Sequence, residues 1–282
     1  MISHHVFADL KLHSDEELAK IIGEKITERI TIHEWPLSCV QKLTLESGKR
    51  LIYKSQLPPT VEADFYKTAE TDLLPAHSVI GKLGNCDTML IDWIDAPLLS
   101  EKAHDANELV QHGKGIIARI SGIKGDLPVY LDIGSHGAWM NVMGETTGKL
   151  SELICDGRFK FIDRNVPEKL LQWSKSESVL EVINDSHIIH GDLKADQVFM
   201  LGDEYRIIDW QRPYRAPAEV DLVSLLVDRK VSPNDFASRE VIGVFWLLRL
   251  HWAVEAQYAI FPKNKWPLFN NWASEAINNI LS

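Results

Sequence analysis

Ile188-Ile189-His190-Gly191-Asp192-Leu193-Lys194-Ala195-Asp196-Gln197-Val198-Phe199-Met200-Leu201-Gly202-Asp203-Glu204-Tyr205-Arg206-Ile207-Ile208-Asp209-Trp210 is the stretch on which the reading of this chain turns. Val198–Met200 and Tyr205–Ile208 are short apolar runs with a Gly-Asp pair between them, which predicts a two-stranded hairpin. A hairpin returns its outer ends to one side. Gln197 enters the first strand and Asp209 leaves the second, so the two are expected close together, with Asp192 on the loop that feeds the same end. Two carboxylates and an amide then converge. Such oxygen ligands suit Mg²⁺, which takes few protein ligands and fills its shell with phosphate oxygens and water. A further carboxylate can receive a proton from an attacking hydroxyl, and phosphoryl transfer needs both functions. Taken singly, Asp192, Asp196 and Asp209 also suit turns and strand ends. It is His190-Gly191-Asp192 followed by Ile207-Ile208-Asp209-Trp210 that points to chemistry.

Working outward, the pattern changes once, near Pro97. Before it the chain reads mostly as short strands. Ser14 caps a helix expected over Ser14–Thr27, whose first turn carries Asp15, Glu16 and Glu17. Val40–Leu45 and Arg50–Tyr53 flank the turn Glu46-Ser47-Gly48-Lys49 and predict a hairpin, with Lys54 closing its second strand. Pro58-Pro59 breaks the chain, and Thr60 caps a helix from Val61 to about Thr71. Val79–Ile80 and Thr88–Trp93 read as two more strands. After Pro97 helical periodicity takes over: Glu108–Ile120, Val166–Trp173, Val179–Asn184, a long helix over Ser238–Tyr258 with Val241, Phe245, Leu248 and Trp252 on one face, and Glu275–Leu281. Strands first and helices afterwards predict an α+β protein with segregated lobes, 1–96 and 97–282. Neither a Gly-x-x-x-x-Gly-Lys-Ser/Thr loop nor a Gly-x-Gly-x-x-Gly run occurs, so a nucleotide would need another scaffold.

Composition narrows the classes. The 282 residues carry a net charge of −10, which disfavours nucleic acid and anionic membrane as partners. No apolar run approaches the roughly 18 residues of a membrane span, and Met1–Leu12 lacks the apolar core of an export signal. The three cysteines, Cys39, Cys86 and Cys155, form no Cys-x-x-Cys pair, so neither a disulfide framework nor a structural zinc site is expected. A cytoplasmic protein, monomeric or homodimeric, is expected.

The segment from His190 to about Leu226 resembles the aminoglycoside phosphotransferase and choline kinase group, whose members carry His-Gly-Asp-x-x-x-x-Asn followed by Ile-Asp-Trp or a close variant. The resemblance implies a protein-kinase-like fold: a small strand-rich lobe, a hinge near 89–96 and a larger helical lobe. It also implies ATP as phosphate donor, with GTP possible, Mg²⁺ as the metal and a small-molecule hydroxyl as acceptor. Carried over residue by residue, Asp192 becomes the catalytic base and His190 the brace of its loop, while Asp209 chelates Mg²⁺. Gln197 stands where the group has Asn. Its carbonyl can still bind metal, but it is one methylene longer in a coordination shell that tolerates little misplacement. Asp221 in Ala218-Glu219-Val220-Asp221-Leu222 becomes an anchor for the catalytic loop. Lys54 becomes the phosphate-contacting lysine and Glu62 its helix partner, with Asp64 and Glu70 as competitors. Backbone groups of Ile91 and Trp93 would meet adenine. Pro36-Leu37-Ser38-Cys39 replaces the glycine-rich loop of protein kinases, as is common among small-molecule kinases of this group. The alternative is a degenerate kinase-like protein that holds nucleotide without turnover.

The acceptor is open: an aminoglycoside, a choline-like compound or a sugar. Nine tryptophans occur, four of them late in the chain (Trp246, Trp252, Trp266, Trp272). With acids such as Glu255 and Glu275 they would suit a cationic amine. Core packing on helices is the plainer reading of the same residues.

Overall fold

The structure is a computed structural model describing residues 1–264 and 267–282, so Trp266 lies outside the described residues. Numbered in chain order, the elements are β1 (Ile2–Ser3), β2 (Lys11–Leu12), α1 (Asp15–Ile22), β3 (Ile26–Trp35), β4 (Ser38–Leu45), β5 (Arg50–Gln56), α2 (Glu62–Thr68), β6 (His77–Leu83), β7 (Cys86–Asp92), α3 (Leu99–Lys102) and α4 (Ala106–Ser121). They continue as β8 (Leu131–Asp132), α5 (His136–Cys155), α6 (Val166–Ser174), α7 (Glu177–Asn184), β9 (Ser186–Ile189), β10 (Val198–Leu201), β11 (Glu204–Ile207), β12 (Tyr214–Pro217), α8 (Glu219–Asp228), α9 (Arg239–Glu255) and α10 (Leu268–Leu281). Two compact units result. The first gathers Met1–Lys102, Gly122–Tyr130 and Ala195–Pro213; the second gathers Ala103–Ser121, Leu131–Lys194 and Tyr214–Ser282. This differs from a single cut at Pro97 because the β10–β11 hairpin and the segment 122–130 belong with the strand-rich unit.

The first unit is built on an antiparallel sheet of order β3-β4-β5-β7-β6. Alternation along its strands decides what each face carries. Leu51 and Tyr53 of β5 pack with Leu10, Leu12, Leu18, Cys39, Leu43, Leu45, Cys86 and Leu90 in a buried apolar cluster. Lys54, one residue on, belongs to the opposite face. It sits in the sheet interior, paired in register with Val40 of β4 and Met89 of β7. The expected hairpin at Glu46–Lys49 forms as β4–β5, with Gly48 at φ 86°, a left-handed backbone that suits glycine. α1 stops well short of Thr27: Gly23 adopts φ 81° and its N–H returns to Ala19 O at 2.8 Å. That is a glycine helix stop, and it frees Ile26 onward for the edge strand β3.

The second unit is mainly helical. β12 lies between β8 and β9, parallel to the first and antiparallel to the second. α9 is buried nearly all round, from Val241 to Val254, as befits a helix inside a bundle. It packs against α5, α7, α8 and α10, and its chain runs on as a π-helix over Ala256–Ile260. α4 lies close against α8, because a Cβ on Gly113 would fall 2.7 Å from Leu222 Cδ1.

Candidate active site

In the strand-rich unit, Lys54 stands between two carboxylates. Its Nζ lies 2.7 Å from Glu62 Oε2 and 2.7 Å from Asp209 Oδ1. Glu62 reaches it from the first turn of α2, after Thr60 Oγ1 has accepted the Glu62 N–H at 3.2 Å. Of the three acids that competed for this position, Glu62 is the one at Lys54; Asp64 pairs instead with Lys67, and Glu70 lies past the end of α2. Lys54 and Glu62 are both buried. Burial alone would lower the Lys54 ammonium, yet Asp209 and Glu62 outweigh it and hold the lysine above its ordinary value. Burial also pushes the Glu62 carboxyl upward, against the pull of Lys54.

Asp209 is delivered by the hairpin. β10 and β11 pair from Val198↔Ile207 to Leu201↔Glu204. The Ile208 N–H donates to Gln197 O at 3.1 Å, and Gln197 Nε2 donates to Asp209 Oδ2 at 3.3 Å. Gln197 and Asp209 are thus brought together at the open end of the ribbon. Asp209 has φ 73°, an unusual conformation for a residue with a Cβ, of the kind that surrounding structure must impose. Trp210 helps impose it. Its ring is fully buried, donates to Ile207 O at 3.0 Å and stacks on Phe65 of α2 at 4.5 Å and 11°.

Gln211 is a residue the sequence reading missed. Its Nε2 donates to Asp209 Oδ1 at 2.6 Å, the same oxygen that Lys54 holds. Its carbonyl accepts the Val61 N–H at 3.2 Å and Thr60 Oγ1 at 3.3 Å, so it also ties down the start of α2. The signal was present in Ile-Asp-Trp-Gln: a polar side chain two residues past a metal-type aspartate. At the expected hinge, Ile91 lies in register with Ile52 and His77 on its two sides. The Trp93 N–H is given to Arg50 O at 3.3 Å, and the Trp93 ring faces the Arg50 guanidinium at 5.1 Å. An adenine that took the Trp93 N–H would compete with Arg50 for it.

In the helical unit, β9 leads into the loop of His190, Gly191 and Asp192. Asp221, fully buried on α8, accepts the His190 N–H at 2.6 Å and the Gly191 N–H at 2.9 Å. Burial raises the Asp221 carboxyl, while His190 and these two N–H groups pull it back. Gly191 has φ 84°, which lets two successive N–H groups turn to one carboxylate. His190 Nδ1 accepts the Asp192 N–H at 3.4 Å. The Asp192 carboxylate meets Lys194 Nζ at 3.2 Å through Oδ2 and has Arg249 Nη1 3.9 Å from Oδ1. Sequence reading named neither cation. Of the late tryptophans, Trp246 is buried against Phe245 and Trp272 is exposed on α10.

Elsewhere, His4, His5 and Glu34 bring ligand atoms within 4.8 Å of one another. His4 Nδ1, however, accepts the N–H groups of Val6 and Phe7, at 3.2 Å each. The His4 proton therefore sits on Nε2, the atom 3.2 Å from Glu34 Oε2, and is in the way of a metal there.

No protein-family model and no curated protein sequence matches the chain. Solved structures do. A spectinomycin phosphotransferase in complex with ADP and spectinomycin superposes with a TM-score of 0.59 at 13% identity, covering 96% of this chain and 99% of that one. The fold is kinase-like. A choline/ethanolamine kinase family protein from Mesorhizobium loti gives 0.59 at 12% identity, over 90% of this chain and 86% of its own. A Plasmodium vivax ethanolamine kinase gives 0.61 at 12%, over 90% and 82%. The kinase-like fold assigns positions to the strand-rich sheet and to the helical part alike, which agrees with the α+β layout expected from the pattern of elements.

Proposed function

We propose that the protein transfers the γ-phosphoryl group of ATP to a hydroxyl of a small molecule. The observation that carries this is the Lys54 ammonium held at 2.7 Å from both Glu62 and Asp209. A buried lysine fixed by one helix carboxylate and next to a second, partly exposed one is suited to receive nucleotide phosphates. The fold supports the reading, since ADP accompanies spectinomycin in the spectinomycin phosphotransferase structure.

The donor set fits Mg²⁺. The Asp209 side chain is 34% exposed, so a hard, oxygen-seeking ion can reach it, and Gln197 offers a carbonyl at its side. The amide of Gln197 turns its nitrogen toward Asp209, so sharing a metal requires it to rotate end for end. When bound, Mg²⁺ would offset phosphate charge. The chain's own residues do the rest. Lys54 binds phosphate oxygens, Glu62 fixes Lys54, and Gln211 holds Asp209 in its strained conformation. Asp192 orients the acceptor hydroxyl and takes its proton, and Asp221 and His190 keep the Asp192 loop rigid.

Label from γ-labelled ATP should pass to a member of a panel of hydroxyl metabolites, and Asp192→Ala should abolish the transfer. Full-rate transfer by that variant would refute the role of Asp192. The second reading is a protein that holds nucleotide without turnover. Tight Mg²⁺–ATP binding with no acceptor labelled by the wild type would support it.

A further inference from the structure

We infer that the acceptor carries an oxyanion, a carboxylate or a phosphate ester, and that Arg249 recognises it. The inference rests on the phosphotransferase reading and names the substrate class for it. Between Val241 and Val254 of α9, Arg249 is the one exposed residue, its side chain 45% exposed. It is nonetheless fixed. Its guanidinium lies 5.5 Å from the Phe245 ring centroid and 6.0 Å from that of Trp246. Those residues sit one turn back on the same helix face, and both are buried. Arginine stacks on aromatic faces in this way with its N–H fork still directed outward.

Among the described residues that fork has no hydrogen-bond acceptor. Arg249 makes no hydrogen bond to any described residue. Asp192 Oδ1, at 3.9 Å, is beyond hydrogen-bond reach. Nor does Asp192 need a second counterion, since Lys194 is nearer at 3.2 Å. Two cations therefore flank one carboxylate at the place where the acceptor must present its hydroxyl. An amine brought there would meet like charge, whereas a carboxylate or phosphate would meet a planar donor pair matched to its own geometry. The acids that would have suited a cationic acceptor are placed differently. Glu255 is paired with Lys149, and Glu275 lies exposed on α10.

The test compares four sets of hydroxyl compounds as acceptors with Mg²⁺–ATP: hydroxy acids, sugar phosphates, neutral sugars and polyols, and amino alcohols with aminoglycosides. Turnover is expected with hydroxy acids or with sugar phosphates, and whichever set is used identifies the oxyanion. Arg249→Ala should raise KM for that set by about 10- to 100-fold and leave kcat within about threefold, as loss of charge-assisted binding implies. Arg249→Lys should recover part of the loss. Three results would overturn the assignment: preferred turnover of the amine set, no turnover of either anionic set, or an Arg249→Ala defect that raises KM for ATP and lowers kcat with every acceptor alike. Failure of the wild type to bind Mg²⁺–ATP would instead strike the phosphotransferase reading, and the Arg249 assignment would go with it.

Discussion

Lys54 and Glu62 depend on each other for reasons that precede any catalysis. Glu62 is fully buried and Lys54 nearly so, and a buried charge that loses its partner destabilises a fold by about 3–5 kcal/mol. Lys54→Met should therefore lower stability by about that much, discounted where Asp209 can turn to water. Adding Glu62→Gln should restore most of it, without restoring nucleotide binding. Chemical denaturation of the two single variants and the double variant checks this, and additive losses would contradict it. Part of this arrangement was legible in the chain. Gln197 and Asp209 come together because a hairpin's geometry fixes where its ends go. Gln211 and Arg249 were not legible. The first acts through a backbone carbonyl as much as through its side chain, and the second comes within 3.9 Å of Asp192 from a helix far along the chain.

Among the elements, α4 and α8 show how closely local sequence and packing are tied. A side chain at Gly113 would collide with Leu222 and Leu225, whereas one at Gly115 would meet nothing within 4 Å. Gly113→Val should cost about 1–3 kcal/mol through overpacking. Gly115→Ala should be neutral or stabilise by up to about 1 kcal/mol through helix propensity. Thermal unfolding of both variants reads the contrast, and equal effects would count against the helix contact. α5 shows what pattern reading loses. His136–Cys155 contains Gly137, Gly144, Gly148 and the pair Thr146-Thr147, all poor helix formers, so no helix was expected there. Burial of Trp139, Met143, Leu150 and Leu153 overrides that local preference. β3 was hidden differently: as an edge strand it is largely exposed and lacks a clean apolar alternation.

At the scale of the whole molecule, stability depends on pH through ionisable groups taken out of water. His251 of α9 is buried, its Nδ1 2.8 Å from Thr146 Oγ1. Burial holds its imidazole below the ordinary histidine value of 6.5, with Glu255 partly opposing. As pH falls, the unfolded chain takes up this proton first. The contribution of His251 is therefore complete above about pH 6.5 and is lost below it, by up to about 1.4 kcal/mol per pH unit. His251→Gln, which keeps a polar partner for Thr146, should flatten the acid limb of the stability curve, and an unchanged limb would contradict the assignment. Chain order alone predicts a strand-rich part followed by a helical part. It cannot show that 122–130 and 195–213 return to the strand-rich unit, because that depends on β10–β11 closing against residues such as Leu73 and Pro97, whose carbonyls accept Ile207 N–H and Met200 N–H. The central claim is that Lys54, Glu62 and Asp209 form a centre for metal-bound nucleotide phosphate. Its most direct test is calorimetric titration of ATP, with and without Mg²⁺, into the wild type and Asp209→Asn. The account predicts that Mg²⁺ tightens ATP binding to the wild type by at least about tenfold and does nothing for the variant; equal affinities in all four titrations would contradict it.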